Sequence, residues 1–386
     1  MSANPEFNVA SPRTEKETER LADLDGLRAV AILLVLACHF IGPCFPWEIV
    51  RKATSFGWCG VDLFFVLSGF LIGGILLDYR DAAHYYSVFY LRRFLRIVPL
   101  YFVILLPLIV IVGLGLQPRF SGHDLGGVGW GTVLVYLTFQ QNAMQALSSV
   151  PGYLGPAWSL AIEEQFYLLL PPFVRNLRRG ALLKLLVAAV LLAPVARAAC
   201  CFLANDRSKG MALAGLLLAC RWDALLTGVL IACGMRDARF CGWIGARLGL
   251  ARAVWAALAA GTIALAACDT NLDTLWGRIA GYLCIDFFFA CTLLLSRANE
   301  RGILRDLLSR PIWRPLATIS YGLYLIQGPT MALRESVVGR LGYPAVGWRT
   351  TGVYALFLAL TYGLAWVSWR CFEKPILKLG HRHKYT

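Results

Sequence analysis

The chain has 386 residues, 58% of them hydrophobic and 16% charged, with a mean hydropathy of +0.61. A soluble domain carries about 25% charged residues, so a soluble globular enzyme, a disordered chain and a secreted disulfide scaffold are excluded, and a polytopic membrane protein remains. The net charge of +14 comes from short basic clusters between apolar runs, as in membrane-protein loops, so no nucleic-acid partner is expected.

Residues 1–20 are polar and charged without an apolar core. They read as a cytoplasmic tail, and no cleavable signal peptide is expected there. Crossing a bilayer takes about 20 apolar residues, and ten stretches qualify: 24–45, 59–78, 97–116, 157–174, 181–204, 211–234, 252–268, 279–296, 315–338 and 351–372. The expected fold is therefore all-α, a polytopic integral membrane protein with one ten-helix domain over 21–376 and a basic tail over 377–386. The segment 120–156 is the one long connection, rich in Gly126, Gly127, Gly129 and Gly131. Its apolar piece 133–139 is too short to span and is expected to be re-entrant or interfacial. With the N-terminus cytoplasmic, inside segments hold roughly three times as many Lys and Arg as outside loops, so both termini are expected inside. The 12 cysteines show no CxxC pair and no metal spacing with His. They read as buried small hydrophobes, although Cys44 and Cys59 flank one loop and would pair if that loop is oxidising. No metal site is expected.

Ionisable groups inside spans are costly and are functional candidates. The first span carries Arg28 and His39. In a regular α-helix, eleven residues place the two within about 20° of each other and about 16 Å apart along the axis. As structural elements, Arg28 is a snorkelling anchor and His39 a satisfied interhelix hydrogen-bonder. The fourth span opens as Trp158-Ser159-Leu160-Ala161-Ile162-Glu163-Glu164-Gln165-Phe166-Tyr167. Its adjacent carboxylates point about 100° apart, so Glu163 and Glu164 face different surroundings, and Glu163 shares a face with Phe166 and Tyr167. Span six holds Arg221 and Asp223, for which an internal ion pair is the structural alternative. Span nine holds Ser320, Tyr321, Tyr324 and Gln327, with Arg334 and Glu335 toward its outer end. Asp62 sits at the outer mouth of span two, and span eight holds Asp286. The run Arg92-Arg93-Phe94-Leu95-Arg96 precedes span three on the inside. It reads either as a topology determinant or as an anion site, since arginines contact phosphates bidentately.

In this order and at these spacings the residues resemble the membrane-bound acyltransferase-3 family, over about residues 21–375. The segment Leu24–Ala31 leading to His39 is similar to the family's signature of Arg, ten residues, then His. Gly60-Val61-Asp62-Leu63-Phe64-Phe65-Val66-Leu67-Ser68-Gly69 resembles its second-span motif. Arg92-Arg93 through Arg96-Ile97-Val98-Pro99, the stretch Trp158–Tyr167 with Pro171, Arg221-Trp222-Asp223 with Gly228, and Ser320-Tyr321-Gly322-Leu323-Tyr324-Leu325 follow in turn. Gln327 stands where the family often has a histidine. Gln does not exchange protons near neutral pH, so hydrogen bonding rather than catalysis is expected of that position. Some relatives carry a fused extracytoplasmic esterase-like domain, whereas this sequence ends about ten residues after span ten.

The resemblance implies a cytoplasmic acyl-CoA donor, acetyl-CoA being the expected one, and transfer to a hydroxyl of an extracytoplasmic polysaccharide, its lipid-linked precursor or another glycan. The membrane of residence would be the bacterial inner (cell) membrane, with its lipids as surroundings. Arg28, Arg92, Arg93 and Arg96 are then expected to hold the CoA phosphates. His39 is the expected general base or acyl carrier, oriented by Glu163 or Glu164 as an acid partner orients the base of a triad. Asp62, Ser68, Trp158, Ser159, Tyr167, Arg221, Asp223, Tyr321, Tyr324 and Gln327 are the expected acceptor-binding set. Oxyanion donors are not singled out, Ser68, Ser159, Ser320 and Gln327 being candidates. Two other classes fit the buried charges: a secondary transporter or exporter of a small anion, and a membrane partner protein that has lost catalysis. No inverted repeat speaks for the first.

Overall fold

The computed structural model describes residues 22–115, 119–120, 123–124, 128–148, 151–267, 274–299, 302–344 and 346–385. The tail over 1–20 lies outside the described residues. Ten long helices carry the fold: α1 Ala22–Leu36, α2 Gly60–Asp78, α3 Tyr85–Gly113, α4 Trp158–Asn176, α5 Arg179–Leu203, α6 Leu218–Gly234, α7 Leu248–Ala267, α8 Tyr282–Ala298, α9 Arg314–Arg340 and α10 Trp348–Ser368. Each matches one of the ten expected stretches, and the chain is an all-α polytopic membrane protein. Among the described residues, eight segments are long and apolar enough to cross a membrane. The two long helices outside that set are α4, with Glu163, Glu164 and Arg175, and α9, with Gln327, Arg334 and Glu335.

Three helix ends differ from the hydropathy reading. α3 begins twelve residues before its apolar run, so Arg92, Arg93 and Arg96 stand on the helix itself rather than in a loop. The apolar stretch 211–234 breaks at Leu217, which is extended (ψ 144°) between the helix Arg207–Leu216 and α6. Asn142 Nδ2 donates to the freed Leu216 carbonyl at 3.0 Å. α1 does not run on as an α-helix: Ala37–Ile41 forms a π turn with His39 at its middle.

The connection 120–156 holds a two-residue hairpin, Arg119–Phe120 against His123–Asp124, and the short helices Trp130–Leu137 and Gln141–Leu147. The first takes in 133–137 of the apolar piece 133–139 and packs on α3, where Tyr101 Oη donates to the Tyr136 carbonyl at 2.8 Å. Phe139 takes the left-handed conformation at φ 54°, and Gln165 of α4 holds its carbonyl at 2.7 Å.

α2 is the most buried span and α7 the least. α6 lies against α2 at two glycines: a Cβ on Gly69 would run into the Leu225 carbonyl, and one on Gly228 into the Val66 carbonyl. Such small-residue contacts let backbones approach where lipid gives no hydrophobic drive for helices to associate. At the basic end, the end carrying Arg92, Arg93 and Arg96, Arg80 donates to the carbonyls of Arg175 (3.0 Å) and Leu177 (2.6 Å) and so caps α4. Large apolar side chains such as Leu191, Phe202, Ile263 and Leu356 are exposed on the outer helices and form the lipid-facing surface. Cys44 and Cys59 are buried free thiols, and no described cysteine is in a disulfide.

Candidate active site

A cavity of about 210 Å³ lies between α1, α2, α3, α4 and α9. Arg28 of α1 and Arg93 and Arg96 of α3 stand along it. Val61, Phe64, Phe65, Leu71, Ile72 and Ile75 of α2 give it an apolar wall. Ser68, Ser159, Glu163, Tyr167, Ser320, Tyr321 and Tyr324 supply its polar groups. The helical period explains why these residues converge: Ser159, Glu163 and Tyr167 recur every four residues on α4, and Ser320 and Tyr324 do so on α9.

Inside the cavity, Ser68 Oγ and Tyr167 Oη are hydrogen-bonded to each other. The Glu163 carboxyl lies beside both hydroxyls and within Coulomb range of Arg93 and Arg96. Tyr321 Oη donates to the Ile97 carbonyl at 2.7 Å and pins α9 to α3. Tyr324 Oη donates to the Pro156 carbonyl at 2.9 Å and lies 2.5 Å from Ser159 Oγ. Arg28 reaches back to Asp25 at 3.8 Å.

His39 is not among the residues lining this cavity. The expectation of a face shared with Arg28 assumed an unbroken α-helix, and the π turn ends that regular phase at Leu36. The His39 ring instead meets Gln327 of α9, Nδ1 to Oε1, at 3.3 Å. With Oε1 facing the ring, Nδ1 carries the proton and Nε2 is left as the acceptor. The acid partner expected from Glu163 or Glu164 is thus replaced by an amide: Glu163 lies in the cavity wall, and Glu164 points elsewhere with Oε1 buried and unpartnered. Arg334, 2% exposed, donates Nη1 to the His39 carbonyl at 2.7 Å, and its guanidinium stacks over Tyr354 at 3.8 Å. The sequence marked Arg334 as an intramembrane charge but gave no sign that it holds the histidine's backbone, 295 residues away.

Arg92 turns away from the cavity. Its Nη2 donates to the His383 carbonyl at 2.5 Å, and its guanidinium lies 5.0 Å from the Tyr385 ring. Tyr385 in turn stacks on Tyr79 at 4.1 Å. The C-terminal segment therefore folds back onto the basic end.

Asp62, Arg221 and Asp223 form a separate buried cluster behind the cavity wall. Arg221 pairs with Asp62, and Arg197 of α5 pairs with Asp223 at 2.7 Å. Asp286 of α8 lies within Coulomb range of Arg221. All five side chains are 0–2% exposed. Arg221 also covers the Tyr282 ring at 3.8 Å and lies 5.9 Å from Trp158 and 5.8 Å from Phe65. Trp158 and Phe65 are edge-to-face at 6.2 Å, and Phe65, which lines the cavity, lies between it and Arg221. Arg197 was not singled out from the sequence, and its pairing with Asp223 comes from the packing of α5 on α6. Among the described residues, no group of three His, Cys, Asp or Glu side chains could hold a metal ion.

The fold and site define a helical membrane protein whose internal cavity is lined by guanidinium, hydroxyl and carboxyl groups. The model of the acyltransferase-3 family, an acyltransferase domain, matches residues 21–370, and the chain belongs to that family. It is 28% identical over 95% of its length to the peptidoglycan O-acetyltransferase OatA of Listeria monocytogenes. It is 29% identical over 93% of its length to the putative peptidoglycan O-acetyltransferase YrhL of Bacillus subtilis. It spans only 57% and 55% of the lengths of these two relatives. The acyltransferase MdmB of Streptomyces mycarofaciens is 28% identical over 88% of this chain and 87% of its own. No solved structure matches the chain.

Proposed function

We propose that this protein is an O-acyltransferase that carries an acyl group, acetyl in the first instance, from cytoplasmic acyl-CoA to a hydroxyl of a glycan on the far side of the membrane. The observation that carries this reading is the cavity itself, with three guanidiniums along it and a Glu163–Ser68–Tyr167 group inside. Arg28, Arg93 and Arg96 suit the phosphates of CoA, which planar guanidiniums hold bidentately. The apolar wall of α2 suits the pantetheine arm. The basic end is then cytoplasmic, in keeping with the bias of Lys and Arg along the sequence.

In the reaction, His39 Nε2 accepts the proton of the acceptor hydroxyl as its oxygen bonds to the acyl carbon. Gln327 holds the ring by Nδ1, and Arg334 holds its backbone. The C–S bond then breaks, and the leaving thiolate takes the proton back from the imidazolium. Asp62, Arg221 and Asp223 act at a distance, through the packing of Arg221 near the cavity-lining Phe65, rather than by touching the acceptor.

The test is transfer from radiolabelled acetyl-CoA in membrane vesicles. Label on a glycan in wild type, lost in His39→Ala with the protein still folded, supports the reading. Absence of label in wild type across several donors and acceptors refutes it in favour of anion transport or an inactive partner.

A further inference from the structure

His39, the proposed base, is not among the residues that line the donor cavity. On α9, Ser320 and Tyr324 line the cavity, and Gln327 is the next residue on that face, about 4.5 Å further along the axis. Gln327 is where His39 is bound. His39 therefore lies beyond Tyr324 along α9.

Three side chains from three helices meet between the polar groups of the cavity and His39: Tyr324, Ser159 and Phe64. Tyr324 Oη donates to the Pro156 carbonyl at 2.9 Å, and Ser159 Oγ–H donates to Tyr324 Oη across 2.5 Å. The Phe64 ring of α2 packs edge-on against the Tyr324 ring at 6.2 Å. The turn that supplies Pro156 is itself pressed onto α9, since a Cβ on Gly328 would run into the Tyr153 carbonyl. The phenol is thus latched at its hydroxyl and braced at its ring. Rotation of the phenol about its side-chain torsions would break these two hydrogen bonds.

We infer that Tyr324, latched by Ser159 and Pro156 and braced by Phe64, is a specificity-determining gate between the acyl-donor cavity and His39. Closed, it keeps water activated at His39 from the thioester. Open, it joins the cavity to His39 so that an acceptor hydroxyl bound against His39 reaches the acyl carbon. The inference rests on the donor reading given above and adds a property that reading does not require, the suppression of hydrolysis. In the suppressed reaction, the oxygen of water bonds to the acyl carbon, the C–S bond breaks, and the proton taken by His39 passes to the thiolate, giving a carboxylic acid and free CoA.

The test uses the full chain in nanodiscs without acceptor and follows release of labelled acetate from acetyl-CoA. Ser159→Ala removes one hydrogen bond from the latch. It is expected to raise hydrolysis about fivefold, the weight of one neutral hydrogen bond in a closed–open equilibrium. Tyr324→Phe keeps the ring and removes both bonds, and is expected to raise hydrolysis more. Adding His39→Ala to either variant should return hydrolysis to background. Unchanged hydrolysis in both single variants overturns the gate, as does a rise that survives loss of His39. Binding of a thioether analogue of acetyl-CoA to the wild-type protein is measured in parallel by equilibrium dialysis. No binding there refutes the donor reading, and the gate with it, whereas binding with unaltered hydrolysis refutes the gate alone.

Discussion

Removing one partner of the Arg221–Asp62 pair is the most informative perturbation of the buried cluster. The pair is at most 2% exposed, and breaking a buried pair on one side costs about 3–5 kcal/mol, because a desolvated charge is left behind. The structure adds to that cost for Arg221→Met, which also strips the guanidinium from the Tyr282 ring. The pair is nonetheless incompletely satisfied: Arg221 Nε and Nη1 and Asp62 Oδ2 have no hydrogen-bond partner. Replacing both members by apolar residues of similar volume therefore forfeits little, and such exchanges are often neutral or stabilising. The expectation is that Asp62→Leu and Arg221→Met each lower stability by about 3–5 kcal/mol while the double variant recovers at least half of the loss. Thermal unfolding in detergent measures this, with acyl transfer followed on the same preparations. The reasoning is refuted if the single variants unfold like wild type, or if the double variant regains stability but transfers nothing, since Asp62 and Arg221 would then touch the acceptor.

Other perturbations separate neighbouring roles. Gln327→Ala leaves His39 Nδ1 without its partner and should lower kcat about ten- to hundredfold with donor KM little changed, whereas Gln327→Glu, which still accepts from Nδ1, should retain more activity. Arg93→Gln should raise the donor KM about tenfold or more, since a hydrogen bond to a charged group is worth about 1.5–3 kcal/mol. Arg92→Gln should alter KM far less, because Arg92 is turned toward His383 and Tyr385. Gly228→Ala should cost about 1–3 kcal/mol by forcing α6 off α2, read as a lowered unfolding temperature with donor KM intact.

Helix number and position were legible because a bilayer demands long apolar runs, and each of the ten runs became a helix. The cavity was legible in part. Ser159, Glu163 and Tyr167 on one helix, and Ser320 and Tyr324 on another, lie at helical spacing, so any reading that finds the helices finds those faces. What sequence could not supply was contact between distant segments. The partner of His39 lies 288 residues away, and that of Asp62 lies 159 away. Phase was the other gap. The π turn at Ala37–Ile41 has no mark in the apolar pattern, and it removes His39 from the face it would share with Arg28. Arg92 and Arg93 are adjacent and chemically alike, yet one belongs to the cavity and the other to the C-terminal segment, because neighbours on a helix diverge by about 100°.

The polar character of α4 and α9 also bears on how the protein is made. A translocon partitions segments by their apolarity, and charges near a helix centre count heavily against entry. Both helices lie outside the set that meets the apolar threshold, so their entry depends on company. α4 is separated from the strongly apolar α5 only by Leu177 and Arg178, and α9 precedes the more apolar α10 by a short turn. Entry as the first arm of a hairpin, with the second arm supplying the drive, would meet that need. Substitutions in α5 or α10, remote from any chemistry, would therefore be felt as failed insertion of the helices that carry Glu163 and Gln327.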